Sequence, residues 1–130
     1  MDQFEPPSLP IVLVVDDEPL LRMMAVDLVE EAGFQAVEAS DADAALAIFE
    51  ARADIAVLFT DIRMPGSIDG LELARRVATR WPSTGIILTS GHCRESDLEH
   101  IPGSFFAKPY DAPRVAYRLS ELVELPSQQR

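Results

Sequence analysis

At 130 residues the chain has room for one ordinary domain and is short for two. Its 48% hydrophobic and 25% charged contents are globular values and exclude a disordered chain. With 22 acidic against 11 basic residues, a formal charge of −11, it is unsuited to gripping nucleic acid through phosphates or to docking on an anionic membrane.

The opening "MDQFEPPSLP" (1–10) lacks a positive region followed by an apolar core, so it is no secretion signal and is expected to be an extended tail. "IVLVV" (11–15) reads as a first strand. A helix follows, with Pro19 tolerable in its first turn and Leu21, Met24, Ala25 and Leu28 at the 3.6-residue period of an inner face. Gly33 is its expected stop. "AVEA" (36–39) is a second strand, and a second helix is expected from Ser40, with Asp43 at capping-box spacing and Ala45, Ile48 and Phe49 inward. "IAVLFT" (55–60) is the third strand. The third helix is expected after Asp69, with Glu72 at the same spacing and Leu71, Ala74, Val77, Ala78 and Trp81 along one side, stopping at Trp81-Pro82. "GIILT" (85–89) and "FFA" (105–107) are the remaining strands. A last helix follows Asp111, with Val115, Leu119, Leu122 and Val123 as its buried stripe, and 126–130 is a fraying tail.

Between the fourth and fifth strands, "GHCRESDLEHIPG" (91–103) offers only Leu98 and Ile101 as anchors, so at most a short, poorly held fourth helix is expected. His92 and His100 have no ligand-spaced partners, and the single Cys93 excludes an internal disulfide and fits a reducing compartment. No apolar run approaches the roughly 20 residues that span a bilayer, so a cytoplasmic location is expected.

The first, third and fourth strands are nearly all apolar, as strands covered by helices on both faces are. The alternation predicts an α/β fold: a doubly wound, five-stranded parallel sheet with right-handed crossovers and ligands outside the carboxyl ends of its strands. Those ends carry Asp16-Asp17-Glu18, Asp61, Thr89-Ser90 and Lys108-Pro109. In a sheet of order 2-1-3-4-5, Asp16, Asp17, Asp61, Thr89 and Lys108 meet on one rim. Taken singly, each has a plainer role: an acidic helix start, a turn residue, a strand-end hydroxyl, a surface lysine. Together, three carboxylates repel by roughly 4 kcal/mol per close pair at an effective dielectric near 20. Lys108 offsets one, and an all-oxygen site with few ligands favours Mg²⁺ for the rest. Such a site suits a phosphoryl group, with Asp61 as in-line nucleophile and Thr89 as a hydrogen-bond donor to it.

The segments "VLVVDDEP" (12–19), "LFTDIRMPG" (58–66), "GIILTSG" (85–91) and "FFAKPY" (105–110) resemble the receiver domain of two-component response regulators, from about Ile11 to Leu125. The resemblance implies a flavodoxin-like fold, with residues 11–125 as the receiver domain. It implies that Asp61 is the phosphoacceptor, that Asp17 ligates Mg²⁺ directly with Asp16 acting largely through water, and that the backbone carbonyl of Arg63 is a third protein ligand. Thr89 corresponds to the switch hydroxyl, Lys108 to the phosphate-contacting lysine and Phe105 to the aromatic that changes rotamer. The implied phosphodonor is a histidine kinase or a histidine phosphotransfer protein, with an unknown protein downstream or a role as phosphate sink or relay. The domain would be no enzyme beyond catalysing its own phosphorylation and dephosphorylation. With nothing after residue 125 to serve as an output domain, a stand-alone receiver is expected, although a piece of a hybrid kinase has the same sequence.

The pattern departs from the family in two places. Gly70 lies nine residues after Asp61, one further than usual, so the loop "RMPGSIDG" is expected to bulge around Gly66-Ser67. The 19 positions from Thr89 to Lys108 are fewer than usual, so an order–disorder change is expected in 91–103 rather than the usual dimerising route. Arg63 and Gly91, each two residues beyond a site residue, are expected to control water access and the lifetime of an acyl phosphate. Of the competing classes, a haloacid dehalogenase-type phosphatase wants a second aspartate two residues after its nucleophile, where Arg63 stands. A non-phosphorylated pseudo-receiver would be expected to lack a member of the acidic pair, the acceptor or the lysine, and all are present.

Overall fold

The computed structural model describes residues 9–91 and 101–124. In chain order the elements are β1 (Ile11–Val15), α1 (Pro19–Glu31), β2 (Gln35–Ala39), α2 (Ala42–Ala51), β3 (Ile55–Asp61), α3 (Gly70–Arg80), β4 (Gly85–Ser90), β5 (Ser104–Ala107) and α4 (Ala112–Glu124). The strands pair in parallel in the order β2-β1-β3-β4-β5, the flavodoxin-like arrangement expected from the alternation.

Because side chains alternate along a strand, the apolar runs of β1, β3 and β4 feed two cores at once. Ile11, Leu13, Val15, Leu58, Ile86 and Leu88 point to one face and are covered by Ala45 and Phe49 of α2 and Leu73, Ala74 and Val77 of α3. Val12, Val14, Val57, Phe59 and Ile87 point to the other, under Ala25 and Val29 of α1 and Val115 and Leu119 of α4. At the lower end of the first core the Phe49 and Trp81 rings sit 4.9 Å apart, with the Arg80 guanidinium 4.4 Å over the indole.

Two expectations need correction. Of the expected inner face of α1, Ala25 is buried and Leu28 half-buried, but Leu21 and Met24 are exposed, and Val29 takes the second buried place. With Leu20, Leu21, Met23, Met24, Ala25, Val26, Leu28 and Val29 the helix is apolar nearly all round, so periodicity cannot choose a face. Burial goes to the side that carries Ala25 and Val29. Nor is α2 capped from Ser40: the Asp41 side chain accepts from the Ala44 amide at 2.8 Å, one residue later. The other starts and stops agree with expectation: Asp69 caps α3 by accepting from Glu72 N, Trp81 is the C-cap that follows the last residue of α3, and Gly33 follows α1 at φ 100°. Residues 92–100 lie outside the described residues, and with them the expected fourth helix, its order–disorder change, His92, Cys93 and His100. The expected tails lie there too, but for Leu9 and Pro10.

Candidate functional site

At the carboxyl end of the sheet the register decides which side chains meet. Asp61, the last residue of β3, pairs with Thr89 of β4, and the two are further joined by the Ile62 amide donating to the Thr89 carbonyl at 2.8 Å. Asp61 and Thr89 follow Phe59 and Ile87 by two residues, and Asp16 follows Val14 by two. All three therefore lie on the α1/α4 face. Lys108, just beyond β5, is fixed by its amide donating to the Ser90 carbonyl at 3.0 Å.

Carboxylate oxygens of Asp16, Asp17 and Asp61 lie within 4.8 Å of one another. The Lys108 ammonium bridges two of them, 3.5 Å from Asp16 Oδ2 and 3.5 Å from Asp61 Oδ2. Asp16 is buried and Asp17 exposed. Asp16 Oδ1 accepts from the Glu18 amide at 2.9 Å, so both its oxygens have partners. Burial is the main reason that the Asp61 carboxyl titrates above its usual range; Lys108 opposes this, and the charges of Asp16 and Asp17 add to it.

The set fits a hard divalent cation. Its donors are all oxygen, as Mg²⁺ prefers, and carboxylate oxygens of the three residues already lie within 4.8 Å of one another. One lysine shared between two of three carboxylates also leaves negative charge to neutralise.

The remaining expected residues are placed differently. Arg63 is exposed in the loop after β3, two residues past Asp61. Phe105 does not join the cluster: it pairs with Leu88 and packs against the core on the α2/α3 face. Gly91 is exposed, and a side chain there would meet Lys108 Cβ at 3.8 Å. The longer loop turns at Gly66, φ 119°, and Ser67 Oγ donates to the Asp43 carboxylate at 3.0 Å, tying the loop to the start of α2. Gly70 has no room for a side chain, because a Cβ would run into the Asp61 carbonyl oxygen.

Two residues at the site escape a reading of the sequence. Tyr110 follows Lys108-Pro109, and its phenol titrates above its usual range through burial, then through the charges of Asp16 and Asp61. Its ring centroid is 6.0 Å from that of Phe59. The signal was its place two residues beyond Lys108. Arg22, in the first turns of α1, donates to the Asp16 carbonyl at 2.7 Å. Its signal was its place four residues after Glu18, in the helix that directly follows the acidic pair. A groove of about 890 Å³ runs from Asp61, Thr89 and Lys108 down between α1 and α4, walled by Leu21, Met24 and Tyr110 among others.

The sequence profile of the family described as response regulator receiver domain matches residues 12–116. The chain is 34% identical over 109 residues to the nitrogen assimilation regulatory protein NtrX of Azorhizobium caulinodans, covering 80% of this chain and 24% of that protein. It is 28% identical over 118 residues to the sensor kinase CckA of Brucella abortus, covering 87% of this chain and 12% of that one. It thus spans a quarter or less of these two relatives. Among solved structures, a response regulator receiver domain protein from Clostridium thermocellum superposes with a TM-score of 0.85 at 23% identity, covering 94% of this chain and all of that one, a likeness of fold. The response regulator TrrA of Thermotoga maritima, solved in complex with Mg²⁺ and BeF, gives 0.79 at 28% identity, covering 88% and 99%.

Proposed function

We propose, because the chain belongs to the response regulator receiver domain family, that Asp61 accepts a phosphoryl group from a phosphohistidine in a Mg²⁺-dependent reaction. The observation that carries this reading is Lys108 bridging Asp16 and Asp61 beside Asp17, at the carboxyl ends of parallel strands. An Asp61 carboxylate oxygen forms a bond to phosphorus as the donor's P–N bond breaks, and the leaving imidazole takes up a proton from solvent. Asp16, Asp17 and Asp61, with the Arg63 carbonyl, would hold Mg²⁺, which when bound supplies positive charge against the phosphoryl oxygens. Lys108 contributes a second positive charge at one of those oxygens, and the Thr89 hydroxyl donates a hydrogen bond to the attached group. Phe105, one residue before the β5 neighbour of Thr89, reports the occupied state on the opposite face of the sheet.

The donor is a histidine kinase or a histidine phosphotransfer protein, a partner class supported by the likeness to a stretch of the CckA sensor kinase. Leu20, Met23 and Met24, 62%, 56% and 56% exposed at the start of α1, offer it an apolar landing, with Met24 on the groove that reaches Asp61. An unidentified protein reads the result, or the phosphoryl group moves on. Residues 11–125 act as the receiver unit, in the cytoplasm, catalysing only their own phosphorylation and dephosphorylation.

Incubation with acetyl phosphate and Mg²⁺, followed by intact mass, tests the reading. The wild type is expected to gain one phosphoryl group, and Asp61→Asn none. An unmodified wild type, or an adduct that survives in Asp61→Asn, overturns it. Followed over time after removal of acetyl phosphate, the same samples give the lifetime of the acyl phosphate, which Arg63→Ala is expected to change.

A further inference from the structure

Asp16 is held at every polar group it has. Its amide donates to the Ala39 carbonyl at 3.2 Å, its Oδ1 accepts from the Glu18 amide, and its Oδ2 meets Lys108. Its carbonyl accepts the shortest of these bonds, 2.7 Å, from Arg22 Nη1. Arg22 is aimed in turn, because its Nε donates to Glu38 Oε1 of β2 at 3.0 Å, so the guanidinium spans from strand to loop as a two-ended brace. The Arg22 side chain is 20% exposed, against 53% for Glu38, so the brace is partly sheltered.

The carbonyl that Arg22 grips belongs to the planar peptide unit joining Asp16 to Asp17. Fixing its direction fixes the plane from which the Asp17 side chain departs, and Asp17 is the exposed member of the acidic triad. We infer that Arg22, aimed by Glu38, is a positioning residue for the divalent-cation site, setting the direction of Asp17 through the Asp16–Asp17 peptide. The inference rests on the proposed Mg²⁺ site.

Charge and positioning predict opposite signs, which makes the role testable. A positive guanidinium near a cation site repels the cation, so on charge alone its removal tightens binding. As a brace its removal loosens the site, and partners that orient metal ligands are typically worth about 10-fold or more in affinity.

The experiment is calorimetric titration of Mg²⁺ into the metal-free chain, with the melting temperature of each metal-free variant measured alongside. Arg22→Met is expected to weaken Mg²⁺ binding about 10-fold. Arg22→Lys, which keeps one donor, is expected to recover part of that loss. Glu38→Gln is expected to weaken binding less than Arg22→Met and to add little when combined with it. Arg22→Lys, which keeps the charge and so isolates positioning, carries the test if Arg22→Met does not fold. Variant affinities within twofold of a Mg²⁺-binding wild type, or tighter, overturn the inference alone. A wild type that takes up no Mg²⁺ overturns the proposed site and the inference with it.

Discussion

The Asp61 carboxyl carries a cost at neutral pH that Lys108 offsets only in part, since burial pushes its titration above the ordinary value of 3.8. Between 3.8 and that raised value the folded chain binds more protons than the unfolded one, so stability falls as pH rises through the window. Asp61→Asn should therefore melt higher than wild type at neutral pH in EDTA, with the gap closing as pH falls toward the ordinary Asp range. An equal or lower melting temperature at pH 7 would contradict the assignment. Gly70 makes a second prediction at this scale. Its alanine variant must push the Asp61 carbonyl aside, and overpacking of this kind costs about 2 kcal/mol or more, read as a lower urea midpoint. Of the site residues, Asp16, Asp17, Asp61, Thr89 and Lys108 are legible in the sequence because each directly ends or follows a strand. Arg22 and Tyr110 are less so, since one acts from a helix and the other through a ring whose neighbours depend on how α4 approaches the sheet.

At the scale of elements, strands were easier to read than helix faces. β1, β3 and β4 are continuous apolar runs bounded by polar residues, so their limits differ from expectation by a residue at most. The segment "SDAD" (40–43) at the start of α2 offers three side chains able to cap, and only the backbone path selects Asp41. For α1, an excess of apolar residues hides the inner face, and the outcome leaves Met24 on the groove rather than in the core. Truncation should separate the two environments. Met24→Ala is expected to shift unfolding free energy by no more than about 0.5 kcal/mol, as surface changes do. Leu119→Ala in α4, fully buried, should cost about 2–5 kcal/mol. Urea unfolding of the pair would show comparable losses if α1 instead turned Met24 inward.

For the whole molecule, a charge of −11 means that the folded chain repels itself, and salt should raise its melting temperature by screening. If the proposed site takes up Mg²⁺, that ion should do more than NaCl at equal ionic strength, because binding to the folded state adds about 2.7 kcal/mol at a hundred times the dissociation constant. In Asp17→Asn that excess should largely disappear, and an undiminished excess would move the cation elsewhere. The sheet also separates distant events. α3 starts against Asp61 at Gly70, and its 11 residues carry the chain about 16 Å away to Trp81, against Phe49 and Arg80. The protein's one tryptophan is thus an optical gauge at the far end of α3 from Asp61. Its emission should follow the parting of α2 from α3 in denaturant and stay nearly silent when Asp61 is phosphorylated, so a fluorescent report of the site needs a dye near the groove.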